Sequence, residues 1–518
     1  MRRWIAGLVL LGLLGVTAGV AVTLVAEDRG RGSENSTAPT VQPTPSDPAV
    51  TAAPDPALAG FYDQRLTWSA CGDNQCSTLT VPLDYAHPAE QSIELRLLKV
   101  PARGQRLSSL VVNPGGPGAP GTEYAAQAAS VFGKPLLEHF DIVGFDPRGT
   151  GESSPVDCLD DDQLDDFLAT DPAPSTVSET RVLMSGVRAF GQGCRALSGE
   201  LAAHVSTDDA ARDIDVLRAA LGQSTLDYFG ASYGTKLGAV YADLFPDKVG
   251  RLVLDGAMDL ELSTRDLSLQ QAAGFQTALD SYLQDCIDNT DQSCFLGNSV
   301  VEGRRTIEDL LDRIDQDPLP TTSDRELTLG LAFYGIATPL YNKDYWFLLT
   351  TGLKSAIGGD GSALLLLADA YTYRDPSGGF LNNAIEANLA INCRDDGWSL
   401  PATRVPTQVP AFEKASPVFG RIFAWSLTGC RGFGWPVAEP YPKVMAQGAA
   451  PILVIGTSRD PATPLAWAKA LADQLASGVL VTRDGDGHTG YHAGNACVDD
   501  AVEDFLVDGD VPQDGLAC

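Results

Sequence analysis

The sequence predicts an α/β fold: a mostly parallel central sheet covered by helices on both faces and interrupted by a largely helical insertion. Three observations carry this. Short apolar runs alternate with segments of helical periodicity through residues 77–255 and again through 451–506. Several runs end in turn chemistry, at Asn113–Gly118, Asp146–Gly149 and Gly230–Gly234. From about Leu260 to Tyr441 the rhythm breaks into helical pieces separated by Gly/Pro-rich loops. Runs that are apolar throughout fit strands buried on both faces, the condition of a parallel sheet.

The chain of 518 residues opens with Met1-Arg2-Arg3, followed by Trp4–Ala26, 23 residues without a charge. A basic start and an apolar run describe a secretory signal. The run is also just long enough to span a bilayer. No cysteine lies near its end, so a lipobox is absent, and Ala21 and Ala26 are mediocre cleavage positions. Residues 1–26 therefore read as a signal peptide or a signal anchor, the second giving membrane attachment through residues 4–26. Either places the rest outside the cytoplasm, because the positive charges stay inside. Residues 27–58 are rich in Ser, Thr, Pro, Ala and Asp without periodicity, and read as a flexible linker.

The first part of the core spans 59–259. Ser77–Val81, Ile93–Val100, Leu107–Asn113 and Phe140–Phe145 read as strands. Thr207 caps a helix whose Ala210, Ile214, Leu217 and Leu221 share one face, and Gly222 ends it. Leu226–Gly230 is the next strand, Tyr233–Phe245 a helix stopping before Pro246, and Arg251–Asp255 a strand. Residues 260–441 are the cap insertion, with helical pieces at Gln270–Asp285, Val301–Ile314 and Gly361–Tyr371. The core resumes over 442–518 with strands Pro451–Gly456 and Val479–Thr482 around the helix Leu465–Leu475. Val498–Leu506 is a last amphipathic helix.

Hydrophobic residues make up 44 % of the chain and charged residues 20 %, an ordinary globular balance. The net charge of −31 argues against a nucleic acid partner, which needs a dense positive face. The acidity reads as solubility. The ten cysteines are even in number, as expected for disulfides in an exported chain. Nearest-neighbour pairing is the simplest scheme: Cys71–Cys76, Cys158–Cys194, Cys286–Cys294, Cys393–Cys430 and Cys497–Cys518. Zinc is the rival, but no Cys-x-x-Cys pair exists, and neither a metal nor a cofactor is expected.

The chemistry centres on Ser232. Gly230-Ala231-Ser232-Tyr233-Gly234 follows a predicted strand and opens a predicted helix, the context of a nucleophile elbow. The flanking glycines relieve clashes at a sharp turn, and the helix N-terminus favours developing negative charge. Serine needs a base, and of five histidines only His488 and His492 follow Ser232. In this arrangement the order is serine, acid, histidine. His488 lies in a turn directly after the last strand and is the expected base; His492 reads as a loop residue or substrate contact. Asp460 follows a strand and precedes His488 by 28 residues, room for one helix and one strand. Asp255 is the rival acid, with a cap or loop hydrogen bond as its alternative role. Asp484 and Asp486 read as turn residues.

Donors for the tetrahedral oxyanion are expected from the backbone of Tyr233 and of Gly116, in the loop Asn113-Pro114-Gly115-Gly116-Pro117-Gly118. A phosphate loop is the rival for this segment, but the Lys-Ser/Thr of a Walker motif is missing.

Taken together, Asn113–Gly118, Gly144–Gly151, Gly230–Gly234, Thr457–Pro464 and Gly487-His488-Thr489 resemble the secreted tripeptidyl aminopeptidases of actinobacteria. These are α/β-hydrolase serine peptidases related to prolyl aminopeptidases. The resemblance runs from about Leu66 to Cys518, and Cys393 and Cys430 fit it. It implies the α/β-hydrolase fold, a peptide substrate, and release of short peptides, tripeptides in the named members, from a free N-terminus. An exopeptidase of this kind needs carboxylates in its cap to hold the substrate ammonium, and Glu386 and Asp395 are the candidates, with surface acids as the plainer reading. Two other functions compete. The same triad serves a carboxylesterase or lipase, whose cap pocket would be apolar. A non-catalytic surface binding protein on this scaffold would not need Ser232, Asp460 and His488 in order.

Overall fold

The computed structural model describes residues 52–289, 293–435 and 443–518. The expected signal or anchor and most of the expected linker lie outside the described residues. The linker's last residues are folded. Asp55 caps a 3-10 turn over Pro56–Leu58, and Leu58 is buried. The helix Ala59–Tyr62 follows, and the Tyr62 hydroxyl donates to Asp215 at 2.7 Å. One apolar side chain at the end of a polar run is enough to pull the boundary back.

Ten strands form one sheet among the described residues. They are β1 (Ser69–Cys71), β2 (Asn74–Pro82), β3 (Ser92–Val100), β4 (Ser108–Asn113), β5 (Phe140–Phe145), β6 (Leu226–Ala231), β7 (Val249–Asp255), β8 (Ile452–Arg459), β9 (Gly478–Asp486) and β10 (Leu516–Ala517). Their order is β1-β2-β3-β5-β4-β6-β7-β8-β9-β10. The first three strands join antiparallel, and every pairing from β5 to β10 is parallel. β4 lies between β5 and β6, so the chain leaves it to one side and returns on the other. Such a reversal opens a crevice at the carboxyl ends of the two strands. There Asn113 of β4 pairs with Gly230 of β6, bringing the loop after Asn113 beside Ser232.

The apolar runs split by strand alternation into two cores. Leu110, Val112, Ile142, Phe229, Val253, Leu453 and Ile455 face Phe132, Leu136, Val498, Val502 and Phe505. Val111, Phe145, Tyr228, Leu252, Leu254 and Val454 face Leu217, Leu237, Val240 and Tyr241. One side of a core strand therefore cannot be polar, which is why β4 and β5 read as unbroken apolar segments.

The helix expected to start at Thr207 spans Thr207–Ala220, but its cap is Ser206, whose side chain accepts from the Asp209 amide. Thr207 is the first helical residue, and its hydroxyl is committed to Tyr233 and Asp395. Between β7 and β8 the chain forms helices at Thr264–Asp288, Val300–Gln316, Leu329–Ala337, Trp346–Ile357, Ser362–Thr372 and Ala384–Asp395. A second excursion joins them. Residues 157–201, between β5 and Thr207, form the helices Asp161–Ala169 and Val177–Leu197. Phe190 packs on Phe433 at 6.1 Å, and Arg374 makes a two-pronged pair with Asp165. Both excursion helices begin with complete capping boxes, Asp160/Gln163 and Thr176/Glu179.

All ten cysteines are paired, in the nearest-neighbour scheme. Cys158–Cys194 ties the excursion to itself. Cys393–Cys430 ties the helix Ala384–Asp395 to a later part of the cap.

Candidate active site

β6 runs straight into the helix Tyr233–Leu244, and Ser232 is the hinge, at φ 58° and ψ −124°. A non-glycine residue there carries strain, which cooperative packing has to hold. The elbow is closed from both sides. A Cβ on Gly230 would lie 2.3 Å from the Gly234 carbonyl oxygen, and one on Gly115 2.8 Å from the Ser232 Cβ. The Ser232 amide donates to the Asp255 carbonyl at 2.8 Å, extending the β6–β7 ladder past the strand end.

Asp460 and His488 meet at the same edge. Asp460 follows β8 and is buried; His488 follows β9 and is mostly buried. His488 Nδ1 lies 2.9 and 2.8 Å from the two oxygens of Asp460. The carboxylate also accepts from the amides of Ala462 (2.9 Å), Thr463 (2.8 Å) and Thr489 (3.1 Å), and from the Thr463 hydroxyl (3.0 Å). Four donors besides the histidine fix this side chain. Such a carboxylate holds Nδ1–H and leaves Nε2 as the basic nitrogen.

Burial alone would lower the His488 pKa. The charge and hydrogen bond of Asp460, with the charge of Asp255, outweigh it and hold the imidazole above its ordinary 6.5. The ring stands edge-on to Tyr341 of the cap at 5.5 Å, and the His488 amide donates to the Tyr341 carbonyl at 2.8 Å. His488 Nε2 is buried without a hydrogen-bond partner among the described residues. The structure thus joins acid and histidine directly and shows no hydrogen bond from His488 to Ser232. In substrate-free sites such bonds commonly tighten only when substrate is seated.

In the loop after β4, Pro114 and Pro117 have no N–H and the Gly115 amide is taken by Asn113 Oδ1 at 3.0 Å. Gly116 and Gly118 remain as donors. A Cβ on Gly118 would press on the Ala384 carbonyl oxygen at 2.6 Å, so the cap helix Ala384–Asp395 seats on this loop. Asn388 Nδ2 donates to the Pro117 carbonyl at 3.0 Å.

The remaining candidates sort by their partners. Asp255 is buried and makes no hydrogen bond to the histidine ring; its oxygens accept from the amides of Gly490 (2.7 Å) and Tyr491 (2.9 Å). Burial pushes its carboxyl up to about 6, against the pull of those two amides. His492 is exposed, with positive φ, and its amide donates to Asp499. Asp484 and Asp486, expected in a turn, instead stand at the end of β9, where the ladder with β8 continues to Arg459, and both pair with Arg459. Glu386 is buried and its Oε1 accepts from the amides of Cys158 (2.6 Å) and Leu159 (3.0 Å). Burial pushes Glu386 up to about 7. Asp395 accepts from the Thr207 amide at 2.7 Å and from Lys236 Nζ at 2.6 Å. The protein itself therefore supplies a cation to Asp395.

Sequence reasoning missed Thr463 and Tyr341, whereas the loop hydrogen bond given as the alternative role of Asp255 is what the structure shows. Thr463 was legible in principle, since an Asp with a Thr three residues on is a local turn pattern. Tyr341 lies far along the chain, and nothing near it signals the contact.

A doubly covered parallel sheet with its strained serine on a strand-to-helix elbow defines the α/β-hydrolases, and among them the serine hydrolases. Comparison with known proteins takes the next step. Residues 416–518 match the family model described as TAP-like protein. Serine protease Hip1 of Mycobacterium tuberculosis is 35 % identical over 88 % of this chain and 91 % of its own. Carboxylesterase B of the same organism is 34 % identical over 86 % of both. Tripeptidyl aminopeptidase of Streptomyces coelicolor is 30 % identical over 91 % of this chain and 88 % of its own. The chain belongs to this tripeptidyl aminopeptidase-like family of α/β-hydrolase serine enzymes.

Proposed function

We propose that the protein is an exported serine exopeptidase that releases short peptides, tripeptides first among them, from free N-termini through an acyl-enzyme. Ser232 Oγ attacks the scissile carbonyl carbon while His488 Nε2 takes its proton. Asp460 holds the imidazole and stabilises the imidazolium that forms. The Tyr233 and Gly116 amides receive the oxyanion. On collapse the C–N bond breaks, the leaving amine takes the proton from His488, and the N-terminal fragment stays on Ser232. Water, deprotonated by His488, then releases that fragment and restores the serine.

The observation that carries the reading is the Asp460–His488 pair at the sheet edge that bears the strained Ser232, under a cap seated on the oxyanion loop. A relative named tripeptidyl aminopeptidase supports the peptide substrate and its length. The cap helix Ala384–Asp395 seats on the oxyanion loop, and a substrate ammonium held under it needs a carboxylate. Of the two candidate acids, Asp395 already faces Lys236. Glu386 Oε2 has no hydrogen-bond partner among the described residues, so we assign the amine contact to Glu386. Export is supported by five disulfides, which persist in oxidising compartments, and by the basic and apolar start of the chain. Among the described residues no helix is long and apolar enough to cross a membrane.

The test is mass spectrometry of products from an unblocked peptide of about ten residues. A ladder of N-terminal tripeptides is expected. Internal cuts would overturn the exopeptidase reading. The relative named carboxylesterase B favours ester hydrolysis as a second reading, which an ester-only profile would establish.

A further inference from the structure

Asp255 carries two sets of contacts that the roles above leave unused. Its main-chain oxygen receives the Ser232 amide at 2.8 Å, at the strained residue of the elbow. Its side chain receives the Gly490 and Tyr491 amides at 2.7 and 2.9 Å, in the loop that carries His488. The Gly256 amide, next in the chain, donates to the Ile455 carbonyl of β8, the strand that leads to Asp460. One dipeptide at the end of β7 thus touches all three segments that carry the candidate triad. We infer that Asp255 is a positioning residue, a clamp that sets the histidine loop against the serine elbow. The inference rests on the Ser232–His488 reading of the site.

The geometry explains why a carboxylate stands there. Two amides converge on one buried side chain, and a neutral amide side chain would turn an N–H toward one of them. The elbow and the histidine loop are both strained, with Ser232 at φ 58° and Thr489 at φ 72°. Strain of this kind persists only where the surroundings over-determine it. Without the clamp the loop can relax away from the serine, and a displacement of about 1 Å at such a site costs about a hundredfold in rate.

Asp255 also acts on His488 by its charge. The titratable groups facing the pair are Asp460, Tyr124 from the helix Gly121–Ala126, and Tyr341 from the cap. With two carboxylates near it the imidazole holds its proton to higher pH, so removing one lowers its pKa.

The experiment uses the full exported protein, with active sites counted by a fluorophosphonate probe. For Asp255→Asn, kcat per labelled site is expected to fall about 10–100-fold with KM nearly unchanged, as for a misplaced catalytic group. The acid limb of the kcat/KM profile is expected to move to lower pH. For Asp255→Glu, which keeps the charge and lengthens the arm, kcat should fall while the acid limb stays. Wild-type kcat per site with an unmoved limb in Asp255→Asn would overturn the clamp. A wild-type enzyme unlabelled at Ser232 would instead sink the underlying reading. Where neither variant folds, hydrogen exchange on the wild type decides. The Gly490 and Tyr491 amides should be protected as strongly as the Ser232 amide, and exchange orders of magnitude faster would contradict the inference.

Discussion

At the carboxyl edge of the sheet every candidate catalytic group leaves a strand within a few residues. Ser232 follows β6, Asp460 β8 and His488 β9. Their partners are mostly backbone amides of the turns that carry them. The cap is held together in another way. Asp395 reaches Lys236 and Thr207, Glu386 reaches amides of a separate excursion, and Cys393 is bonded to Cys430. These partners lie roughly 40 to 230 residues away in the chain. The difference teaches where chemistry and selectivity reside. The edge is built from local turns on a rigid ladder and suits a fixed reaction geometry. The cap is built from side-chain pairs between distant segments, so its lining can change without disturbing the edge.

The largest expected effects break the edge alone. Ser232→Ala and His488→Ala should each lower kcat by about six orders of magnitude, since these residues act as a unit. Both proteins should remain folded by circular dichroism. Asp460→Asn should cost about 10⁴ in kcat, because the amide presents the wrong tautomer to the histidine. Asp255→Asn should cost far less, and a reversed order would move the acid to β7.

Glu386→Gln probes the cap without touching the edge. It should reduce the preference for free-amine substrates while leaving turnover of a small ester unchanged. Its effect on stability has a definite sign. Burial holds Glu386 at about 7 from an ordinary 4.5, so the folded state favours its protonated form. Stability from this group is fully present below about pH 4.5 and is lost as pH rises to about 7, at up to about 1.4 kcal/mol per unit. The glutamine variant should lack that slope, measured as Tm from pH 5 to 8. The smallest effect is the acid limb of kcat/KM in the wild type. The base must be neutral, and His488 is raised above 6.5, so the limb should fall above that value.

Much of the edge was readable in advance because local chemistry fixes it. The elbow glycines, the strand before Ser232 and the order of serine, acid and histidine are all short-range patterns. The cap was readable as a break in rhythm holding three helical pieces, which the structure forms as Thr264–Asp288, Val300–Gln316 and Ser362–Thr372. Two of its supporting helices, Asp161–Ala169 and Val177–Leu197, went unread although Asp160/Gln163 and Thr176/Glu179 announce their starts. Their faces are completed by Phe433 and Arg374, far along the chain, so periodicity alone understates them. Thr207 reads as a cap by type, yet Ser206 beside it takes the position because Thr207 is needed by Tyr233 and Asp395. Asp255 could be placed at a strand end but not given its partners, which come from the loop after β9.

The central claim is that the cap reads a free α-ammonium while the edge performs acyl transfer. The most direct test compares kcat/KM for a tripeptide anilide with a free amine and for its N-acetyl form. Acetylation removes the cation and leaves a carboxylate unpaired, a loss of about 3–5 kcal/mol in a buried pair. The free amine is expected to be preferred by two to three orders of magnitude, or about 10²–10³. Equal rates on the two compounds would contradict the aminopeptidase account and leave a serine hydrolase of open specificity.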